Sequence, residues 1–459
     1  MESKDGKTSV PPISLGKGIA IYAILFIGFI ALVILNRVSA VVTLMLAAIV
    51  AIALAKVFGI PYKYVEKVMI DHFAYIAVPI LVVLFAGFTV SEWMAGGVIP
   101  TAVYYALGIF SPASFLLTAF ICCSIVSLLI GSALGTITVL GTILFAISSG
   151  MGISAPMAIG AIVSGAYLGE KVSPLSQSNN AATGGTFGDV IRHANFSAKT
   201  AAVAFVIACI AFLIMGGSGT GDTAAVEAIR AGLAESFKLN PLLLLPIALL
   251  IFLMIRKVHP IPAFALAGVV GLLLAFIQGY TLKQLLAFAY GGFSGTVSDS
   301  ITALCKRGGF SGMTGVMALY IGACTFTTVA DASGARKVVT EAMFKKADTD
   351  GKVILITQLS ALVHLLGLGD AQAAVYMNGN MLKPVYAERK LDSKNLSRAN
   401  CDICTSLSPL IPWTTGGMAV AAAFGTGASL YCVFNIACVA IAVGLAAAGK
   451  DIAGAESEN

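Results

Sequence analysis

Gly165-Ala-Tyr-Leu-Gly-Glu-Lys-Val-Ser-Pro-Leu-Ser-Gln-Ser-Asn-Asn180 closes an apolar run that begins at Ala155. Within a few residues it brings a carboxylate (Glu170), an ammonium (Lys171), a proline (Pro174), three hydroxyls (Ser173, Ser176, Ser178) and three carboxamides (Gln177, Asn179, Asn180). Pro174 lacks a backbone donor and clashes with the preceding turn, so a helix through it bends or unwinds. Unwinding frees carbonyl oxygens, and the hydroxyls and amides add more. Hard oxygens are what Na⁺ or another small cation requires. Polar backbone at membrane depth is tolerated only where protein buries it or water reaches it.

A second stretch of this kind is Thr405-Ser-Leu-Ser-Pro-Leu-Ile-Pro-Trp-Thr-Thr-Gly416. It repeats Ser173-Pro174-Leu175 as Ser408-Pro409-Leu410 and carries Pro412 beyond it. A glycine interruption precedes each stretch: Gly131-Ser132, with Gly135 nearby, before the first, and Gly369-Asp370 before the second. Paired broken apolar segments in two halves point to a transporter built from structural repeats. Gly131, Gly135, Pro174, Gly369, Pro409 and Pro412 are therefore the expected hinges.

Composition sets the class. Of 459 residues, 58% are hydrophobic and 11% charged, against about 25% charged in soluble domains, and the mean hydropathy is +0.94. Helix-length apolar runs, without the alternating pattern of a barrel, predict an all-α polytopic membrane protein. The net charge of +6 reflects Lys and Arg gathered between apolar segments, as membrane orientation requires, so nucleic acid is not an expected partner. The nine cysteines read as small core side chains, and Cys401-x-x-Cys404 lacks the partner pair that a zinc site needs. No cleavable signal peptide is evident in residues 1–15.

Taken in order, residues 1–15 form a polar tail and 16–216 a first transmembrane repeat. A polar, acidic connection, 217–239, precedes a second repeat, 240–449, and a tail, 450–459. About ten to thirteen helices are expected, with re-entrant segments and the two repeats inverted. Ile19 to Leu35 is the first clear span, Pro61 to Asp71 reads as interfacial, and Lys4, Lys7 and Lys17 favour a cytoplasmic N-terminus.

Ionisable groups inside a membrane cost about 2.5–3.5 kcal/mol each on insertion scales, so each is a functional candidate. Glu170 and Asp370 lead, with Asp402 next. Lys171 is a counter-charge for a carboxylate elsewhere. Glu92 and Asp331 fall at segment ends, where interfacial charge is the simpler reading. His364 suits a packed neutral imidazole, and Trp93 and Trp413 suit interface anchors. No phosphate-binding loop and no potassium-filter motif occurs, which leaves secondary transport, not enzymatic catalysis.

The motifs resemble the NhaC family of Na⁺/H⁺ antiporters, within a broader ion-transporter superfamily. That family carries Gly-Asp-Lys-Met-Ser-Pro-Leu-Ser-Asp-Thr-Thr-Asn, where Gly169 to Asn180 read Gly-Glu-Lys-Val-Ser-Pro-Leu-Ser-Gln-Ser-Asn-Asn. Ile191-Arg192-His193, Gly369-Asp370, Lys383-Pro384-Val385-Tyr386, Asn395-Leu396-Ser397-Arg398 and Ser408 to Trp413 are similar to family features in the same order. Glu170 keeps the charge of the family's Asp, whereas Gln177 and Cys401 stand where carboxylates are usual. Ala371 and Asn380 replace a Gln and an Arg.

The resemblance implies a Na⁺/H⁺ antiporter in a bacterial inner membrane. Its cargo, Na⁺ and H⁺, takes the place of any cofactor. Glu170 and Asp370 would alternately hold H⁺ or Na⁺, and Ser173, Ser176, Gln177, Asn179, Asn180, Asp402, Thr405 and Ser408 would line the path. Na⁺ is expected at Glu170, Asp370, Ser173 and Asn180. The reduced carboxylate count keeps an alternative open: Na⁺- or H⁺-coupled carriage of a small organic solute such as an amino acid, malate or lactate, with Lys171 holding a carboxylate. Besides the lipid bilayer, a homodimer is compatible with either reading.

Overall fold

The computed structural model describes residues 13–28, 40–109, 111–186, 189–217, 223–256, 258–306, 308–344 and 347–454. The protein is all-α: an isolated bridge between Leu391 and Gly454 is the only β pairing among these residues. In chain order the helices are α1 (Leu15–Tyr22), α2 (Ala40–Val57), α3 (Tyr62–Ala95), α4 (Val98–Ile109), α5 (Pro112–Ile130), α6 (Ala133–Gly150), α7 (Ala155–Val172), α8 (Gln177–Thr186), α9 (Val190–Gly217) and α10 (Thr223–Ser236). There follow α11 (Leu245–Ile255), α12 (Pro260–Gln278), α13 (Leu282–Gly291), α14 (Thr314–Ala332), α15 (Ala335–Phe344), α16 (Asp350–Leu368), α17 (Ala371–Glu388), α18 (Ser393–Leu407), α19 (Thr415–Phe424) and α20 (Val433–Ala447).

Five of these, α5, α6, α9, α12 and α16, are long and apolar enough to cross a bilayer unaided. Two bent pairs pass the same test together: Ile80–Ala95 with Val98–Gly108, bent by 70°, and Glu227–Ser236 with Pro241–Ile255, bent by 97°. Val42–Val57, Tyr320–Val329 and Val433–Ala447 are shorter apolar helices. Rows of Leu, Ile and Val on α9 and α12, among them Ile210, Leu213, Val269 and Leu273, are exposed, as lipid-facing surfaces require.

Helix ends follow their sequences. Ser111 precedes Pro112 and accepts from Ser114 N–H to start α5; Thr349 accepts from Lys352 N–H to start α16. Both helices end on a left-handed glycine, Gly131 (φ 74°) and Gly369 (φ 69°). The pairing of α7 with α5 uses Gly165 and Gly169, whose missing side chains let Phe120 and Ser124 backbone oxygens approach. Ser127 Oγ then donates to Ala166 O at 2.6 Å.

The elements around the broken stretches recur at constant spacing. Pro112–Ile130 and Asp350–Leu368 are equal in length and lie 238 residues apart. The same displacement carries Ala133–Gly150 onto Ala371–Glu388, the start of α7 onto the start of α18, and Gln177–Thr186 onto Thr415–Phe424. Backbone bonds repeat as well. Ser173 N donates to Glu170 O at 3.3 Å, as Ile411 N does to Ser408 O at 3.3 Å. Ser176 N donates to Ser173 O at 3.1 Å, and Thr414 N to Ile411 O at 3.2 Å.

This register corrects the tripeptide match. Pro174 corresponds to Pro412, not Pro409, which sits inside a 3₁₀ turn (Ser408–Leu410) continuing α18. The breaks are Ser173–Ser176 and Ile411–Thr414. Gly135 is no hinge either: it is helical, and its N–H caps onto Ser132 Oγ at 3.1 Å. The nearby irregularity is a π turn at Ile137–Gly141.

Three further segments gain detail. Pro61 to Asp71 is not a separate interfacial segment but largely the first turns of α3. The connection 217–239 contains α10, and its residues 218–222 lie outside the described part, as do 29–35 of the first span. The C-terminal tail is tied down as far as Gly454: Arg398 Nη1 donates to Asp451 Oδ2 at 2.5 Å and Asn395 Nδ2 to Ala453 O at 2.6 Å.

Candidate functional site

In each half, the helix that follows the left-handed glycine presents its N-terminus to a carboxylate. In the first half, α5 ends on Gly131, Ser132 follows and α6 begins. Its first N–H, on Ala133, donates to Glu170 Oε2 at 2.8 Å. Glu170 comes from the last turn of α7 and is 6% exposed, and its other oxygen accepts from Ser178 Oγ on α8. In the second half, Asp370 itself follows the glycine and caps α17. Its Oδ1 accepts from Ala373 N–H at 2.8 Å and its Oδ2 from Thr415 Oγ1 at 3.0 Å. Asp370 occupies the position equivalent to Ser132, and Glu170 that equivalent to Ser408. Two different sequence positions thus deliver a carboxylate to the same point of the repeated motif. The positive ends of α6 and α17 favour negative charge there.

Asn179 holds the first break in shape. Its Nδ2 donates to the carbonyls of Lys171 and Ser173, each at 2.9 Å, and its Oδ1 lies 3.2 Å from His193 Nε2. His193 Nδ1 meets Ser397 Oγ at 2.8 Å. The freed end of α7 is therefore satisfied by a side chain, not by a further turn of helix. Ser173 Oγ donates to Leu128 O at 2.8 Å, and Asn180 Nδ2 to Ser176 O at 2.6 Å. Ser176 Oγ accepts from Asn179 N–H at 3.2 Å. Ser408 Oγ accepts from Gly416 N–H at 3.2 Å, and Thr405 is buried on α18.

Lys171 finds its carboxylate on the equivalent helix of the other half. Lys171 Nζ pairs with Asp402 Oδ1, and each side chain is 1% exposed. Arg398 Nε lies 3.9 Å from Asp402 Oδ2. Gln177 also reaches across the halves, accepting from Gln372 Nε2 at 3.1 Å.

The expected Na⁺ ligands are thus not one bonded group. Ser173 and Asn180 face backbone carbonyls, while Glu170 and Asp370 each sit on their own helix end. Among the described residues, no cluster of three or more His, Cys, Asp or Glu side chains suits a metal ion.

Asp370 opens into a cavity of about 210 Å³ lined also by Asp71, His72, Thr327, Asp331 and Trp413. Asp331 Oδ2 is 3.3 Å from His72 Nε2, and its Oδ1 accepts from Arg336 Nη2 at 2.5 Å. Sequence reasoning set Asp331 aside as an interfacial charge and passed over His72, which lies more than 250 residues away; only the fold joins them. Ser178 counted among the hydroxyls of the first stretch and His193 fell in a family-like feature, but neither was singled out as a site residue. His364 is buried, with Nδ1 2.8 Å from Ser360 O.

A profile of the Na⁺/H⁺ antiporter family matches residues 165–450, from the first break through the second. The chain belongs to that family. The malate-2H⁺/Na⁺-lactate antiporter of Bacillus subtilis (strain 168) is 31% identical over 382 residues, covering 82% of this chain and 81% of that protein. The Na⁺/H⁺ antiporter NhaC of the same organism is 29% identical over 385 residues, covering 82% and 85%. The arginine/ornithine antiporter ArcD of Halobacterium salinarum is 31% identical over 347 residues, covering 73% and 71%. This antiporter-family chain is a divergent NhaC relative and a multi-pass protein of the cell membrane.

Proposed function

We propose that the protein exchanges Na⁺ for H⁺ across the membrane, with the two repeat units inverted relative to each other. Glu170 and Asp370 are the exchange groups. The observation that carries this is their placement: each carboxylate sits on the N-terminus of an equivalent helix, α6 or α17, beside a broken stretch. Glu170 meets the Ala133 and Ser178 N–H groups and the Ser178 hydroxyl, Asp370 one N–H and one hydroxyl, and a carboxylate has about four lone-pair sites. The remaining lone pairs bind a cation. A helix end favours the charged form that Na⁺ needs, and desolvation favours the neutral form that a proton makes. Na⁺ and H⁺ then compete for the same oxygens, and that competition is the exchange. The Lys171–Asp402 pair places no net charge beside this site and links the two halves.

The test is a preset pH gradient in proteoliposomes. Na⁺ addition dissipates it in the wild type, and Glu170→Gln or Asp370→Asn abolishes the response. A wild type that ignores Na⁺ overturns the reading.

Carriage of a small organic solute is a second reading, motivated by a cavity of about 860 Å³. Thr138, Thr142, Ser294 and Lys306 are among its lining residues. It is larger than a bare cation needs, and two relatives are named for organic solutes. The N-termini of α6 and α17 already hold the protein's own carboxylates and Lys171 is paired, so these three are engaged before any organic anion arrives. A thermal-shift screen of hydroxy and amino acids, with and without Na⁺, separates the two: stabilisation by Na⁺ alone rejects this one.

A further inference from the structure

Glu92 lies one turn before the bend between α3 and α4 and takes no part in the scheme above. It is 0% exposed, and neither carboxyl oxygen has a hydrogen-bond partner among the described residues. The polar groups around it are satisfied. Thr89 Oγ1 donates to Phe264 O at 2.8 Å, Trp93 Nε1 to Ala267 O at 2.9 Å and Ser91 Oγ to Phe288 O at 2.6 Å. These bonds seat α3 on α12 and α13 and leave the carboxyl alone.

Among the described residues, the surrounding elements bring no charged side chain into hydrogen-bond or ion-pair contact with Glu92. The α12 and α19 helices contain no titratable residue. The others packed on α3 bring Lys56 on α2, Tyr104 and Tyr105 on α4, Lys283 and Tyr290 on α13, and Tyr320, Cys324 and Asp331 on α14, with Lys306 in the segment before it and Arg307 next to that, outside the described residues. None is bonded to Glu92 among the described residues, and Asp331 is engaged by His72 and Arg336.

An ionised carboxylate sealed from water without a donor is far costlier than a neutral carboxyl, and ionisable groups at membrane depth are kept where they serve transport. We propose that Glu92 is a proton-carrying residue of the transport cycle. It holds H⁺ while the 70° bend is closed on α12 and releases it when the bend moves. The bend has the means to move, because Gly96 and Gly97 separate the two arms and Gly97 is left-handed (φ 75°). The coupling to Na⁺ rests on the exchange reading above; the proton on Glu92 does not.

The experiment has two arms. Purified protein in detergent is treated with dicyclohexylcarbodiimide, an apolar reagent that adds to protonated carboxyls, and the adducts are mapped by peptide mass spectrometry. Proteoliposomes of wild type, Glu92→Gln and Glu92→Asp are compared for H⁺ moved per Na⁺. The expected result is an adduct at Glu92, fewer protons per Na⁺ in Glu92→Gln, and the wild-type ratio in Glu92→Asp. Absence of the adduct overturns the proposal, as does a wild-type ratio in Glu92→Gln. If Glu92→Gln fails to fold, the adduct on the wild type decides. If the wild type moves no Na⁺, the exchange reading falls, and the adduct again decides the proton on Glu92.

Discussion

Lys171 on α7 and Asp402 on α18 form an ion pair in which each side chain is 1% exposed. The two helices are repeat equivalents, so the pair joins one half of the protein to the other. Breaking a buried pair from one side leaves an uncompensated charge, which costs about 3–5 kcal/mol. Lys171→Met and Asp402→Leu are each expected to lower the melting temperature of the detergent-solubilised protein sharply. The double variant, which leaves neither member of the pair unmatched and keeps Arg398 on Asp451, is expected to recover part of that loss. Differential scanning fluorimetry on the four proteins checks it.

Gly131 and Gly369 are equivalent but not equally tolerant. Both are left-handed, which costs a side-chain-bearing residue about 1–2 kcal/mol. A Cβ at Gly131 would also lie 2.7 Å from the Leu175 carbonyl atoms, whereas at Gly369 the nearest atom is Trp413 O at 3.2 Å. Gly131→Ala is therefore expected to destabilise more than Gly369→Ala, and the order of their melting temperatures tests this.

Asn179→Ala removes the donors that satisfy the Lys171 and Ser173 carbonyls. Buried groups left unsatisfied cost about 1–3 kcal/mol each. A loss of stability in that range is expected. Asn179→Asp, which keeps the shape but loses both N–H donors, is expected to be no better. Thermal unfolding of both variants measures it.

Asp370→Asn keeps an acceptor oxygen for Ala373 N–H, and Asn caps helices about as well as Asp. Its stability is expected to stay near wild type while Na⁺-driven dissipation of a pH gradient is lost. Asp370→Ala is expected to lose the exchange and, in addition, about 1 kcal/mol of cap. Comparing melting temperatures with flux separates the capping role from the exchange role.

The breaks were legible because glycine and proline act locally. Gly131, Gly369 and Pro174 each dictate the backbone at their own position, and the structure breaks there. The second proline was misassigned for the same reason: Ser408-Pro409-Leu410 copies the first tripeptide in letters, but helix lengths, which no tripeptide encodes, set the true register at Pro412. Glu170 and Asp370 stood out as charges in apolar surroundings. Their common environment did not, because one arrives from α7 and the other as a cap. The Lys171–Asp402 pair, the His72–Asp331 contact and the isolation of Glu92 are products of packing between distant helices. Hydropathy along the chain places Glu92 at the end of a segment and is blind to what closes over it.

Equal helix lengths in the two halves carry a consequence for conformational change. Two units cut to one pattern can each take the shape that the other holds here, at no cost in chain length or membrane thickness. With the two units inverted as proposed above, the structure would contain a draft of its own opposite-facing form: lay the first unit's path over the second, and the second's over the first.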